Sequence, residues 1–300
     1  MKNLPAINLT LILGLFLISG CQQHPQVSYS RVSLKPVAEL NDPMIEEQSG
    51  LIPGNRSGLF WVQNDSGDSA RIFPLEITGS VARRWPGSPA DGLFIPGARN
   101  VDWEDLAAGP DSTIWISDTG NNWNQRRDLT LYHISAPDPA GATPLRLLNR
   151  IHVFYPDQTD FPPAKNNFDS EALIQTDGQL YLLTKHRADT NTRLYKVGAG
   201  KTDEPVALEF LDEYPIGDRV TAADISKDGK RLAVLTYSAV WVFERTTGST
   251  SWLSGQAYRL GIFAGQCEGL CFTDAQTLTI SNEEGQFFRV DTSNLIRVTP

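Results

Sequence analysis

An all-β fold, built radially from repeated four-stranded antiparallel units, is predicted by three observations. Apolar residues come in short runs bounded by Asp-Gly, Pro-Asp and Gly-rich clusters, and helical periodicity is nearly absent. A two-run hairpin pattern recurs five times, with cores at Gln48-Ser49-Gly50-Leu51, Trp103-Glu104-Asp105-Leu106, Ser170-Glu171-Ala172-Leu173, Ala222-Ala223-Asp224-Ile225 and Cys267-Glu268-Gly269-Leu270. Equivalent positions also keep one spacing: Glu104 to Asp118, Glu171 to Lys185, Ala223 to Tyr237 and Glu268 to Asn282 are all 14 residues apart. The first copy, Ser49 to Asp65, is two longer, in step with its longer turn at residues 53–58. Repetition at 45 to 67 residues points to a radial or stacked β architecture.

Each copy supplies its strands in order. The second apolar runs are 59–62, 114–116, 180–183, 232–235 and 278–280, reached through turns such as Asp177-Gly178, Asp228-Gly229 and Pro110-Asp111-Ser112. Third strands follow at 71–77, 129–135, 193–197, 240–245 and 286–291, and fourth strands at 80–85, 151–155, 207–214 and 256–262. The fifth copy lacks a fourth strand of its own. Residues 30–40, with Val32, Leu34 and Val37, have that character and would close the ring. The prediction is a single β-propeller over residues 31–300 with five blades, or six if residues 137–168 hide another.

The N-terminus is of another kind. Lys2, an apolar run over 9–18 and the tetrapeptide Ile18-Ser19-Gly20-Cys21 read as a signal peptide over residues 1–20. The run is too short to span a bilayer as a helix, which needs about twenty residues. The tetrapeptide resembles the lipobox of bacterial lipoproteins. That resemblance implies cleavage before Cys21, its lipidation (palmitate among the acyl chains) and export. With Gln22 rather than Asp next, it implies an outer-membrane, periplasm-facing protein on a polar tether over 21–30.

Formal net charge is −9, and −10 once Lys2 leaves with the leader, since Lys2 is the leader's single charged side chain. An acidic chain lacks the basic footprint that nucleic acid requires, so none is expected as a partner. The membrane contact expected is the lipid anchor. Cys267 and Cys271 lie on one predicted strand, roughly 13 Å apart along it, beyond disulfide reach. They are expected as buried apolar residues facing the same side.

The repeat also concentrates chemistry. First and second strands of a blade run antiparallel, so the shared spacing places Glu104, Asp118, Glu171, Lys185, Glu268 and Asn282 at one channel mouth. Ser49, Asp65, Ala223 and Tyr237 are expected level with them, and Glu47, Asp102, Asp105, Asp169, Asp224 and Glu283 on the same rim. Converging carboxylates either share protons or take up a cation. An all-oxygen set favours Ca²⁺ or Mg²⁺ over Zn²⁺. Glu104, Asp118, Glu171 and Glu268 are therefore the expected metal ligands, and Glu104, Glu171 and Lys185 the expected catalytic groups. The competing reading is structural: acidic residues at strand starts also bind backbone amides of a neighbouring blade. Trp103 beside Glu104, and Trp123 in the polar loop 120–127, are candidates to stack a sugar. That loop is the best lid candidate, with Arg126 and Arg127 suited to an anionic group on a ligand. His186, next to Lys185, is placed to reach the rim. Nucleophilic-serine, P-loop and dinucleotide motifs are missing from the sequence.

At Ser49-Gly50-Leu51, Asn64-Asp65-Ser66-Gly67, Asp102-Trp103-Glu104-Asp105-Leu106, Asp118-Thr119-Gly120-Asn121-Asn122, Ser170-Glu171-Ala172-Leu173 and Thr184-Lys185, the chain resembles a group of bacterial lipoprotein propellers labelled esterase-like or phytase-like. More distantly it is similar to lactone-hydrolysing propellers. That resemblance implies a divalent cation at the channel mouth, Ca²⁺ being the expected one, and hydrolysis of an ester, lactone or phosphoester. It departs from the lactonase pattern in lacking identifiable Asn ligands, and from a phytase in lacking a basic phosphate cradle. The alternative function is a non-catalytic binding or scaffold module for a periplasmic partner or an envelope glycan.

Overall fold

Strand order in the computed structural model, which describes residues 30–40, 42–81, 91–139, 143–199 and 204–299, follows the repeat set by set. The leader, Cys21 and the tether up to residue 29 lie outside the described residues. Two short strands come first, β1 (Arg31–Ser33) and β2 (Ala38–Glu39). The first set is β3 (Gln48–Pro53), β4 (Leu59–Asn64), β5 (Arg71–Glu76) and β6 (Leu93–Phe94). In the second are β7 (Asp105–Ala108), β8 (Ile114–Asp118), β9 (Thr130–Ile134) and β10 (Leu147–Phe154). The third holds β11 (Ser170–Thr176), β12 (Gln179–Thr184), β13 (Thr192–Val197) and β14 (Val206–Tyr214). β15 (Val220–Ile225), β16 (Arg231–Thr236), β17 (Ala239–Glu244) and β18 (Gln256–Phe263) make the fourth. Last come β19 (Cys267–Phe272), β20 (Thr277–Asn282) and β21 (Gln286–Asp291), with a short β22 (Ile296–Arg297) on the edge of β18.

Within a set, consecutive strands pair antiparallel. The hairpin turns use the residues such turns demand: Asp177 (φ 51°) and Gly178 (φ 73°) are both left-handed, as a two-residue turn of this twist requires. The fifth set takes its fourth strand from the N-terminus, with Ala38 opposite Phe287 and Glu39 opposite Gln286. Backbone bonds from Val37 to Phe287 and from Leu40 to Gly285, each 2.7 Å, extend that pairing. β1 goes elsewhere. It runs parallel along β18, with Arg31 beside Gly261.

Five apolar clusters hold the sets together, one at each junction between neighbours. Trp61, Leu106 and Ile116 join the first set to the second, and Trp115, Leu173 and Tyr195 join the second to the third. Leu183, Val234 and Trp241 lie between third and fourth, and Leu235, Leu270 and Phe288 between fourth and fifth. Phe60, Phe73, Cys271 and Phe287 close fifth on first. The innermost strands β3, β7, β11, β15 and β19 contact one another around a ring. This is the β-propeller predicted from the repeat. Among the described residues no helix is long and apolar enough to cross a membrane.

Three details differ from expectation. The fourth strand of the first set is Leu93–Phe94, on β5, whereas Val81 makes a single bridge to Leu75 and residues 82–85 lie outside the described residues. Residues 147–154 form the outer strand of the second set, paired parallel with β14, so the described part of 137–168 holds no further set. Cys267 and Cys271, both buried, join different clusters. A bulge between Cys267 and Gly269 inserts one residue and flips the alternation of facing.

Candidate metal centre

That bulge is a recurrent device. The ladder slips by one residue near the mouth end of the first strand in the first, third, fourth and fifth sets. The extra residue has no partner across the ladder, so its side chain is re-aimed. Glu171 and Glu268 are such residues, and Thr221 is their counterpart in the fourth set. In the second set Glu104 precedes the ladder, its N–H on the Ser117 carbonyl.

The bulge also corrects the register read from the sequence. Residues directly opposed at the mouth are Ser170 and Thr184, Cys267 and Asn282, Val220 and Thr236, and Gln48 and Asn64. Their separations run from 14 to 16, because turn lengths differ. Asn282 therefore faces Cys267 rather than Glu268, and its amide bonds the Ala264 carbonyl and the Gln286 side chain. Glu283 takes the place that Lys185 holds in the third set. Ala223 lies deeper in the ring, where its amide reaches Asp105.

The mouth is a cavity of about 460 Å³ lined by Asp65, Glu104, Glu171, Lys185, Tyr237 and Glu268 among others. Lys185 Nζ stands 2.7 Å from Glu171 Oε2 and 5.1 Å from the centre of the Tyr237 ring. Burial opposes its charge, yet Glu171 and Glu268 hold its pKa above the usual lysine value. Glu268 is pushed up to about 7 by burial, against the pull of Lys185. Glu171 is raised by burial, against the same ammonium.

Two carboxylate groups share Glu104. Asp65, Asp102 and Glu104 each bring an oxygen within 4.8 Å of the others, and so do Glu104, Asp169 and Glu171. The second group is already served by cations: Lys185 on Glu171, and Arg187 Nε at 3.0 Å from Asp169. The first is not. Among the described residues no lysine or arginine forms a salt bridge with Asp65, Asp102 or Glu104, and no donor hydrogen-bonds the Glu104 carboxylate. Burial pushes Asp65 up to about 7 and Asp102 up to about 6. Burial, then the charges of Glu171 and Asp65, holds Glu104 well above the usual carboxylate range. Gly120 packs over this group so closely that a Cβ there would fall 1.9 Å from Glu104 Oε1 and 2.5 Å from Asp102.

Other expected members are placed differently. Asp118 accepts from Arg126 Nη2 at 2.9 Å and from the Asp102 amide at 3.0 Å, and belongs to neither carboxylate group. Asp105, expected on the rim, is fully buried within the ring, where it accepts from the amides of Leu106, Leu173 and Ala223. Asp224 likewise accepts from Phe272 N at 2.7 Å and lines the cavity at the opposite end. The structural reading of acidic residues therefore holds for these two. Trp103 is fully buried in the junction of the first two sets, its indole on the Arg99 carbonyl, and out of a ligand's reach. His186 turns away from the rim to Asp189, 2.7 Å from it.

The loop 119–127 is pinned rather than free to act as a lid. The Asn121 amide donates to Asp169, and its side chain donates to the Phe168 carbonyl. Asn124 accepts from Phe168 N, and Gln158 donates to the Asn124 carbonyl. Arg126 holds Gly120, Asp118 and Asp128, and Arg127 stacks 3.7 Å from the Phe161 ring centre. Both arginines are thus already engaged. Sequence reasoning put Asp65, Asp102 and Asp169 near the mouth but did not make them ligands. Their signal was present as acidic residues beside the strand-start positions.

No protein-family model and no curated protein matches the chain. Among solved structures it is similar to the complex of KlAtg21 with the coiled-coil of AgAtg16, at 14% identity and a TM-score of 0.36, over 85% of this chain and 70% of that one.

Proposed function

We propose that the propeller binds a divalent cation, Ca²⁺ above all, between Asp65, Asp102 and Glu104, and that it is an outer-membrane lipoprotein facing the periplasm. One observation carries the cation reading: three carboxylates converge within 4.8 Å, around a buried Glu104, with no salt bridge to them and no donor on the Glu104 carboxylate among the described residues. Hard oxygen ligands suit Ca²⁺ and Mg²⁺. Asp118, already held by Arg126, then serves as a support of the mouth, and Glu171, paired with Lys185, stays out of the cation's ligand set. The cavity beside the triad leaves room for a substrate. A cation there would polarise an ester, lactone or phosphoester oxygen and acidify a bound water. Glu171 and Lys185 line the same cavity, as a carboxylate base and a positive charge facing a developing anion.

Thermal melts of the purified full chain test the cation. Ca²⁺ at about a hundred times its dissociation constant should stabilise it by about 2.7 kcal/mol. Glu104→Gln, which keeps shape and removes one charge, should fold and lose that response. A melting temperature indifferent to Ca²⁺ and Mg²⁺ at pH 8 overturns the reading. Hydrolysis of ester, lactone and phosphoester panels with and without chelator tests the activity, which fails if no substrate turns over or if chelation changes nothing. For the anchor, Cys21→Ser should leave a soluble product or an uncleaved precursor, since acyl chains supply the membrane attachment. Unacylated wild-type protein in the cytosol refutes it.

A further inference from the structure

Trp123 is 76% exposed, on a loop that is otherwise fastened down. Its neighbour Asn121 is buried and tied to Asp169 and Phe168, and Asn124 is fully buried in a left-handed conformation between Phe168 and Gln158. The other tryptophans among the described residues are at most 9% exposed. Among the described residues, one large indole is therefore held in water on a rigid mount, at the edge of the acidic cavity, which it lines. Presenting apolar area in a fixed pose lowers the ordering cost of binding a partner there.

We infer that this rim binds a hexopyranose ring of a neutral or amino sugar, with one face of the ring stacked on Trp123. The groups around the indole select that class. Asn122, Asn166 and Gln266 line the cavity with amides, each both donor and acceptor, and the carboxylates of Glu104, Glu171 and Glu268 add acceptors. Arg187 on Asn122, Gln266 on Glu268 and Glu283, and Lys185 on Glu171 use part of this capacity. Vicinal hydroxyls, which donate and accept together, match the remainder, whereas a purely apolar ligand would strip its water and replace nothing. Without a bound cation, charge excludes acidic sugars: Asp65, Glu104, Glu171, Glu268 and Glu283 face the cavity against Lys185 and Arg187, and those two cations already bond Glu171 and Asp169. Glu104, 5% exposed and with no hydrogen-bond donor on its carboxylate among the described residues, is an acceptor open to a hydroxyl.

This assignment rests on reading the mouth as a ligand site, and its test is separable from that of the cation. Tryptophan emission of the full chain is read against that of Trp123→Phe, the reference that isolates Trp123 from the other six. It is followed while chitotetraose, the glucosamine tetramer and tetragalacturonate are titrated, with Ca²⁺ and with chelator. The first two should shift the emission to the blue and saturate, and tetragalacturonate should not in the presence of chelator. Trp123→Ala should weaken binding of both, measured by calorimetry, at least tenfold, and Trp123→Phe less so. Its Ca²⁺-dependent melting shift should equal that of wild type, which shows the variant folded. Failure of the first two sugars to bind, equal binding by Trp123→Ala, or tight binding of tetragalacturonate in the presence of chelator overturns the proposal. Loss of the Ca²⁺ response in wild type alone would instead strike the cation reading.

Discussion

A single carboxylate can fasten three strands. Asp105 accepts from its neighbour Leu106, from Leu173 on β11 at 3.0 Å and from Ala223 on β15 at 3.4 Å. Its charge is disfavoured by burial and supported by those amides, and the balance leaves its pKa raised. Removing it orphans buried N–H groups on two other blades, each costing about 1–3 kcal/mol. Asp105→Ala should therefore lower stability by about 2–4 kcal/mol, read as the urea midpoint at unchanged slope. Asp102→Asn, in the cation triad, should raise the midpoint at pH 8 without Ca²⁺, because it removes a buried charge, and blunt the further rise with it. Equal loss in both variants would mean that the two aspartates do the same job. Adjacent acidic residues in Asp102-Trp103-Glu104-Asp105 thus have opposite fates. The sequence marks all of them as acidic at a strand start, and which one meets bare amides depends on the neighbouring blade, which local pattern does not encode.

At the scale of elements, the hairpins were legible because alternating runs and Asp-Gly turns are local. The one-residue bulges were not. Nothing in Ser170-Glu171-Ala172 distinguishes a bulge from a regular ladder, yet the bulge decides that Glu171 meets Lys185 while Asn282 misses Glu268. Equal spacing predicted equal register, and turn length broke the equality. Residues 30–40 were read as the closing strand on character alone, and β2 does pair with β21. Their split into β1 on the fourth set and β2 on the fifth required the folded edges. Closure makes a prediction. Without β2 the β21 edge loses its ladder, and an open edge invites pairing between chains. A chain lacking residues 31–40 should melt well below the full chain and associate at high concentration, as sedimentation would show. If it melts with the full chain and stays monomeric, closure through β2 contributes little.

For the molecule as a whole, the mouth sets a pH dependence opposite to that of proteins whose carboxylates are paired. Burial raises Asp65 and Glu268 to about 7 and Asp102 to about 6, and raises Asp224 deeper in the ring to about 7. In the unfolded chain the same groups titrate near 4. Between about pH 4 and 7 these carboxyls hold more protons folded than unfolded, so their contribution to stability falls as pH rises through that window. That fall outweighs the contribution of His133 and His186, whose burial-lowered pKa values act the other way. The chelator-treated chain should melt at least about 5 °C lower at pH 8 than at pH 5, a few kcal/mol for a domain of this size. Ca²⁺ competes with protons for the same oxygens, so its stabilisation should be small at pH 5 and large at pH 8, which narrows the gap between the two pH values. Glu104→Gln separates the contributions: it should ease the fall without Ca²⁺ and abolish the rescue with it. A chelated chain that is more stable at pH 8 than at pH 5 would mean that Lys185, Arg187 and Arg126 already compensate the whole mouth, and no charge would be left there for a cation to neutralise.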